Sequence, residues 1–336
     1  MLLTRRKLMP MLGAIPFHRK PFEPGPHESV PRSRDSRLIL GGDVMLSRLV
    51  GKFARERRDP ALPMRELATV LSSADITFVN LEAPFSDRGR RVEEGMVFKA
   101  EPEMIGALEL AGIDIVSTAN NHARDCNRYG VEFTLDWLAR HKIAAVGSAA
   151  SAEAAHAGAV LTRNATRFGF LAYTYDQSNG NHRDVDDRVA VLDTDQMRRD
   201  VANLLTRADV VIVSMHAGFE YVSKPNRQQI EFAHAAIEAG ARVVVGHHPH
   251  VVQPWERVGE GVVFYSLGNL VFDQFQREAT QHGALAELKF SGSRLVHAEL
   301  IPVDIARTGP RLAIPALAVR DGAARPGRAG VARSGG

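Results

Sequence analysis

The 336-residue chain has a single cysteine, Cys126, so no intrachain disulfide can staple it. It has no run of about 18 consecutive apolar residues, the length a membrane-spanning helix needs, so no integral membrane segment is expected. Neither a GxGxxG turn nor a GxxxxGK[ST] loop occurs, which argues against a dinucleotide-dependent dehydrogenase or a P-loop enzyme. No serine or cysteine sits in a recognisable nucleophile elbow. A basic folded surface is missing too, despite a pI near 9.1. Seven Lys/Arg against three acids in residues 1–35, and six against one in 306–336, leave residues 36–305 about six charges negative. The basicity belongs to the tails, and no nucleic-acid partner is expected.

What remains is an ordinary globular composition, 45% hydrophobic and 24% charged. Residues 1–36 form a basic, proline-rich leader and linker. Arg5-Arg6 before a short apolar run resembles a twin-arginine signal, but Pro10 and Pro16 interrupt that run and His18-Arg19-Lys20 follow it. A disordered leader is expected, with a cytoplasmic location favoured over export. Residues 306–336 contain few bulky apolar side chains and are expected to be a disordered tail. Residues 37–305 are expected to form one domain.

Within 37–305, apolar runs at 37–40, 75–79, 114–117, 168–173, 209–214, 242–245 and 262–266 read as strands. Several lack alternation, as strands covered on both faces do. Helical periodicity marks 63–74, 102–111, 129–141, 194–208 and 226–239, with Gly112 and Gly240 suited to left-handed C-terminal caps. Alternating strands and helices predict an α/β fold. Residues 284–291 and 294–305 read as a hairpin in a second sheet.

The polar residues gather where the apolar runs end. Asp43 follows the first run, Asn80 and Glu82 the second, and Asn120-Asn121-His122 with Asp125 the third. His216 and Glu220 follow the fifth, His247, His248 and His250 the sixth, and Asn269 and Asp273 the seventh. Ligands of open α/β sheets bind at the carboxyl edge, so these groups are expected to converge. Imidazole and carboxylate together suit divalent Zn, Mn or Fe, and two such ions need ligands from several loops. Asn269 and Asp273 either cap their turn or serve the site. A glycine before the histidines lets the backbone approach an ion. Arg48 offers a planar fork to a phosphate or carboxylate, and Lys99 is a second anion-binding candidate. His234 reads as a helix-face residue; His141, His156, His182, His282 and His297 read as surface or structural, and Cys126 as inert.

GGDVMLSR, FVNLEAPFSD, FKAEPEMIGALELAGIDIVSTANNHARD, VIVSMHAGFEY, VVVGHHPHVVQPWE and VVFYSLGNLVFD occur in this order over residues 37–275. Together they resemble the motif set of the CapA family, the poly-γ-glutamate capsule biosynthesis proteins, whose fold is similar to calcineurin-like metallophosphoesterases. The resemblance implies an αββα sandwich of two mixed sheets flanked by helices. It implies one or two divalent ions per chain, held by Asp43, bridging Glu82, Asn121, His216, His248 and His250, with His247 as the alternative to His248. By the same resemblance, His122 protonates a leaving oxygen beside Asp125, and Asn80 orients or binds. Arg48 and Lys99 are expected to face the substrate, and Glu220 to lie beside it or to accept the second N–H of a ligating histidine.

Three positions depart from the pattern. Met45 stands where the wider superfamily has a histidine, Glu82 stands for its bridging aspartate, and Ala217 replaces a tryptophan, with Cys126-Asn127-Arg128 inserted before Tyr129-Gly130. The implied activity is a metal-dependent hydrolase, acting on a phosphate ester through metal-activated water with a histidine acid. The alternative is an accessory protein or γ-glutamyl amide hydrolase serving an anionic polymer, poly-γ-glutamate.

Overall fold

The computed structural model describes residues 35–88, 96–175 and 187–313. The leader 1–34, His182 and residues 314–336 of the expected tail lie outside the described residues. The first half runs β1 (Asp35–Val44), α1 (Arg48–Glu56), α2 (Ala68–Leu71), β2 (Ile76–Leu81), α3 (Ile105–Leu110), β3 (Ile115–Ser117), α4 (Asn127–Arg140), β4 (Ala144–Val146), α5 (Ala152–His156), β5 (Ala159–Arg163) and β6 (Thr166–Thr174). Then follow α6 (Thr194–Leu205), β7 (Val210–His216), α7 (Arg227–Glu238), β8 (Val243–His247), β9 (Trp255–Val258), β10 (Gly261–Phe264), β11 (Asn269–Val271), β12 (His282–Ser291), β13 (Arg294–Ala306) and β14 (Gly309–Leu312).

Two mixed sheets result. The first is ordered β14-β13-β12-β1-β2-β3-β4, with β11 alongside the end of β1. The second is ordered β5-β6-β7-β8-β10-β9. β1 to β4 run parallel in the first sheet, and β6, β7, β8 and β10 run parallel in the second.

Three apolar clusters define four layers. Phe78, Leu38 and Leu40 of the first sheet meet Phe170, Ile212 and Val245 of the second, and Phe78 stacks on Phe170 at 5.8 Å. Outside the first sheet, Ile39, Val79 and Val116 pack on Leu67, Leu108 and Leu138. Outside the second, Val211, Val213 and Val244 pack on Val201, Leu204 and Phe232 of α6 and α7. Strands buried on both faces explain the unbroken valine and isoleucine runs. The αββα sandwich is therefore the architecture that the resemblance implied.

Several local expectations change. The 284–305 hairpin is present, but β12 pairs antiparallel with β1, extending the first sheet instead of joining a second. Its alternate residues Ala284, Ala286, Leu288 and Phe290 fill the space between the sheets beside Leu38 and Leu40, which fixes that placement. β14 lies within the span assigned to the tail. The helix expected over 63–74 is a 3-10 turn at Leu62–Met64 followed by the short α2. Gly112 (φ +64) and Gly240 (φ +110) do follow α3 and α7 in left-handed backbone.

Gly246 has a different use from the one read in the sequence. A Cβ there would collide with the Tyr265 carbonyl oxygen on the neighbouring chain segment. The residue thus permits close approach of two backbones beneath the histidines, with no ion required. Gly246→Ala is expected to lower stability by roughly 1–3 kcal/mol or more, the range for overpacking against groups that cannot yield. Equilibrium urea unfolding monitored by circular dichroism checks this.

Candidate functional site

Both sheets direct the carboxyl ends of their parallel strands to the same edge, and the polar residues meet there. From the first sheet come Asp43, the penultimate residue of β1, Asn80 in β2, Glu82 just after it, and Asn121 and His122 beyond β3. From the second come His216 and His247, the last residues of β7 and β8, with His248 and His250 following. Asp43 remains inside its strand because β11 pairs with it, Asp43 opposite Asn269.

Asp43 is fully buried and sits at the centre of the contacts. Its Oδ1 accepts from Asn80 Nδ2 at 2.8 Å and lies 3.4 Å from His247 Nδ1. Its Oδ2 accepts from the His248 backbone N–H at 3.2 Å and lies 3.4 Å from His250 Nδ1. His216 is flanked by Asn80 Nδ2 at 3.2 Å and Asn121 Oδ1 at 2.9 Å. Asn120 holds the inner frame, donating to Asn80 Oδ1 and to the Leu81 carbonyl.

Glu82 is the exceptional group. It is wholly buried, and neither carboxylate oxygen has a hydrogen-bond partner among the described residues. Its nearest basic neighbour is His250 Nε2 at 3.7 Å. Two sets of side chains bring ligand atoms within 4.8 Å of one another here, Asp43/Glu82/His250 and Glu82/His216/His248. Glu82 belongs to both.

The electrostatics agree with a need for positive charge. Burial, and then the carboxylates of Asp43, Glu220 and Asp125, push Glu82 well above the usual carboxylate range. Burial also works to raise Asp43, but hydrogen bonding and charge from His247 and His250 outweigh it and hold that carboxyl well below its ordinary value. Burial, then the neighbouring His248, lowers His216 strongly. Burial, then His250, brings His248 to about 3. Both imidazoles are thus neutral at physiological pH, the form that binds metal. The donor set fits a divalent cation: buried carboxylate oxygens without donors, beside neutral imidazoles.

The histidine loop is strained to reach this arrangement. His248 (φ +96) and His250 (φ +58) both occupy left-handed backbone, a conformation that costs of order 1 kcal/mol or more for a non-glycine residue. Pro249 lies between them, as the sequence suggested. His250 is oriented from behind by Asn269 Oδ1 at 3.0 Å. Asn269, left open as cap or site residue, therefore serves the site.

The other expected residues fall into two groups. His122 lines the cavity described below; its Nδ1 is 2.6 Å from Asp125 Oδ2, and its ring lies 3.9 Å from that of Phe98. Glu220 lines the same cavity from an exposed loop. Arg48 (φ +51) is instead ion-paired with buried Asp273 at 3.2 Å, its guanidinium over the Phe98 ring. Lys99 pairs with Glu101 at 2.9 Å. Neither Arg48 nor Lys99 is among the cavity's lining residues. Met45 packs in the helix-side core, and its sulfur accepts from Ser47, so it presents no ligand where the wider superfamily has histidine.

His247 Nδ1 lies 3.4 Å from Asp43 Oδ1, while His248 stands in a possible ligand set with Glu82 and His216. Two contributors escaped the sequence reading. Tyr175 stands 4.8 Å from the His248 ring, and Tyr221 lies 6.1 Å from that of His250. Both tyrosines line a cavity of about 800 Å³ that opens over the cluster, with Phe98, Asn121, His248, His250 and exposed Phe219. The triplet His248-Pro249-His250 was a signal in sequence; the tyrosines had none, since their partners are distant in the chain. Among the remaining histidines, His141, His156, His234 and His282 each pair with one acid away from this cavity. His297 approaches Glu287 and Glu299, but Arg37 and Lys289 already face Glu287.

Residues 37–274 match the family model described as bacterial capsule synthesis protein PGA_cap. The chain is 28% identical over 274 residues to the PGA biosynthesis protein CapA of Bacillus subtilis (strain 168), covering 80% of this chain and 71% of that one. It is 27% identical over 289 residues to the capsule biosynthesis protein CapA of Bacillus anthracis, covering 83% and 70%. A solved structure of a hypothetical protein from Thermus thermophilus superposes with a TM-score of 0.52 at 18% identity, over 80% of this chain and 99% of that one. That likeness is one of fold.

Replacing the shared carboxylate separates fold from metal binding. Glu82→Gln is expected to leave metal-free stability nearly unchanged, because burial and the neighbouring carboxylates already oppose ionisation of Glu82. Adding Mn²⁺ at a hundred times its Kd should raise wild-type stability by about 2.7 kcal/mol and leave Glu82→Gln unmoved. Scanning calorimetry with and without the ion reads both effects.

Proposed function

As this chain belongs to the bacterial capsule synthesis protein family, we propose that it is a metal-dependent hydrolase whose ions are held by Asp43, Glu82, Asn121, His216, His248 and His250. The observation that carries this reading is Glu82: a buried carboxylate, bare of hydrogen-bond donors and common to two ligand sets. A bound divalent cation supplies Lewis-acid polarisation of the scissile group and lowers the pKa of water toward neutrality.

The chain's own residues supply the rest. Asn80 anchors Asp43 and His216 together, fixing the spacing between the two ligand sets. His122 is the acid in its doubly protonated form: Asp125 accepts from Nδ1–H, and Nε2–H is left to hand a proton to a leaving oxygen or nitrogen. Phe98 stacks on the imidazole, and its backbone N–H donates to the same Asp125 oxygen at 2.6 Å, so ring and carboxylate are set as a unit. The cavity above admits a small molecule or the end of a chain.

A phosphate ester is the substrate class this donor set suits best. The second reading is cleavage of γ-glutamyl amide bonds, and it draws support from the relatives named for PGA and capsule biosynthesis. The same ligands and the same His122 would serve either bond.

Protein loaded with Mn²⁺ or Zn²⁺ is expected to turn over one of these classes, in a screen of phosphomonoesters, phosphodiesters and γ-glutamyl amides. His248→Ala should reduce turnover beyond the roughly 10–100-fold typical of lost outer-shell partners. Asp125→Asn, which keeps the shape but misdirects the His122 proton, should lower kcat by at least tenfold with the bound-ion count unchanged. Absence of turnover in all three classes with metal bound would contradict the hydrolase reading.

A further inference from the structure

Tyr221 is held in a way that packing alone does not require. It occupies left-handed backbone (φ +65), an outlier for so bulky a residue. The surroundings impose this. Its N–H donates to the Pro249 carbonyl at 2.8 Å, between the two strained histidines. The loop before it turns at Gly218 (φ +117), against the side chain of buried Gln229. Gln229 donates to Gln253, which in turn donates to the Val222 carbonyl at 2.8 Å, closing the loop from beneath. The outcome is a half-buried phenol in the wall of the cavity, over His250 and in range of the Glu82 charge.

The orientation of the phenol proton follows from the amides behind it. Asn269 faces His250 through Oδ1, so its Nδ2 points away and donates to Gln274 Oε1 at 3.1 Å. That fixes the Gln274 amide, whose Nε2 then donates to the Tyr221 oxygen at 3.4 Å. One lone pair of the phenol is thereby occupied, which leaves its proton for the Glu220 carboxylate beside it or for a ligand in the cavity. On the ring lies the Arg277 guanidinium, 4.4 Å from the centroid, exposed and without an ion pair among the described residues.

We propose that Tyr221 binds the substrate, donating its phenol proton to an anionic oxygen, while the Arg277 guanidinium on its ring, outside the cavity lining, supplies positive charge at longer range. The inference rests on the hydrolase reading of this cavity and assigns its substrate an oxyanion, of a phosphate or a carboxylate, beyond the bond that is cut. Glu220, beside the phenol, opposes that anion and tunes the site.

The test is anion binding to the Mn²⁺-loaded chain, dialysed free of excess cation, by isothermal titration with inorganic phosphate and separately with acetate. The wild type is expected to bind at least one of them. Tyr221→Phe, which removes one oxygen and keeps the ring under Arg277, should weaken that binding by roughly ten- to a hundredfold. Arg277→Gln should weaken it several-fold, and Glu220→Gln should tighten it. Ions per chain and Tm should match the wild type in all three variants. Equal affinity in Tyr221→Phe, no anion bound by the metal-loaded wild type, or loss of ions from Tyr221→Phe each overturns the inference. An intact ion count and turnover in such a case would leave the hydrolase reading standing, so the two failures are told apart.

Discussion

The site is organised around a charge that the protein does not itself neutralise. Glu82 and Asp43 lie side by side at zero exposure, and isolated carboxylates taken from water are costly unless paired or ligated. Asp43 has histidines and amides around it. Glu82 has none within hydrogen-bonding distance. In the metal-free protein burial and neighbouring carboxylates push Glu82 toward its neutral form. With the imidazoles of His216 and His248 it also forms a group that could hold a divalent cation.

Neither sheet could build this centre alone. Asp43, Asn80, Glu82 and Asn121 come from the first, and His216, His247, His248 and His250 come from the second. Their meeting depends on the aromatic layer between the sheets, including Phe78 against Phe170 and Phe168 against Phe290. Rigid strand ends deliver most of these side chains, and left-handed backbone at His248 and His250 delivers the rest. Strain of this kind persists only where neighbours over-determine it; here Asp43, Asn269 and the Tyr221 loop do so.

Much of this was legible in the sequence because strand ends and ligand types coincide. Apolar runs marked the strands, and the residues after them proved to share one edge. The rest depended on long-range pairing that local pattern does not carry. The β12–β13 hairpin was readable as a hairpin, but its attachment to β1 is decided by which face fits between the sheets. His247 and His248 could not be told apart locally, since the chain turns at the strand end so that both rings approach the cluster. Arg48 read as an anion binder, whereas buried Asp273, far along the chain, takes its guanidinium. Tyr221 carried no local signal, because its conformation is imposed by Pro249 and by the buried glutamines Gln229 and Gln253.

Anomalous diffraction from crystals of the full chain grown with Mn²⁺ tests the central claim most directly. The account predicts a peak within bonding distance of Glu82, shared with Asp43 and His250 or with His216 and His248. Density showing Glu82 bare in the presence of the ion, or manganese only at other positions, would contradict it.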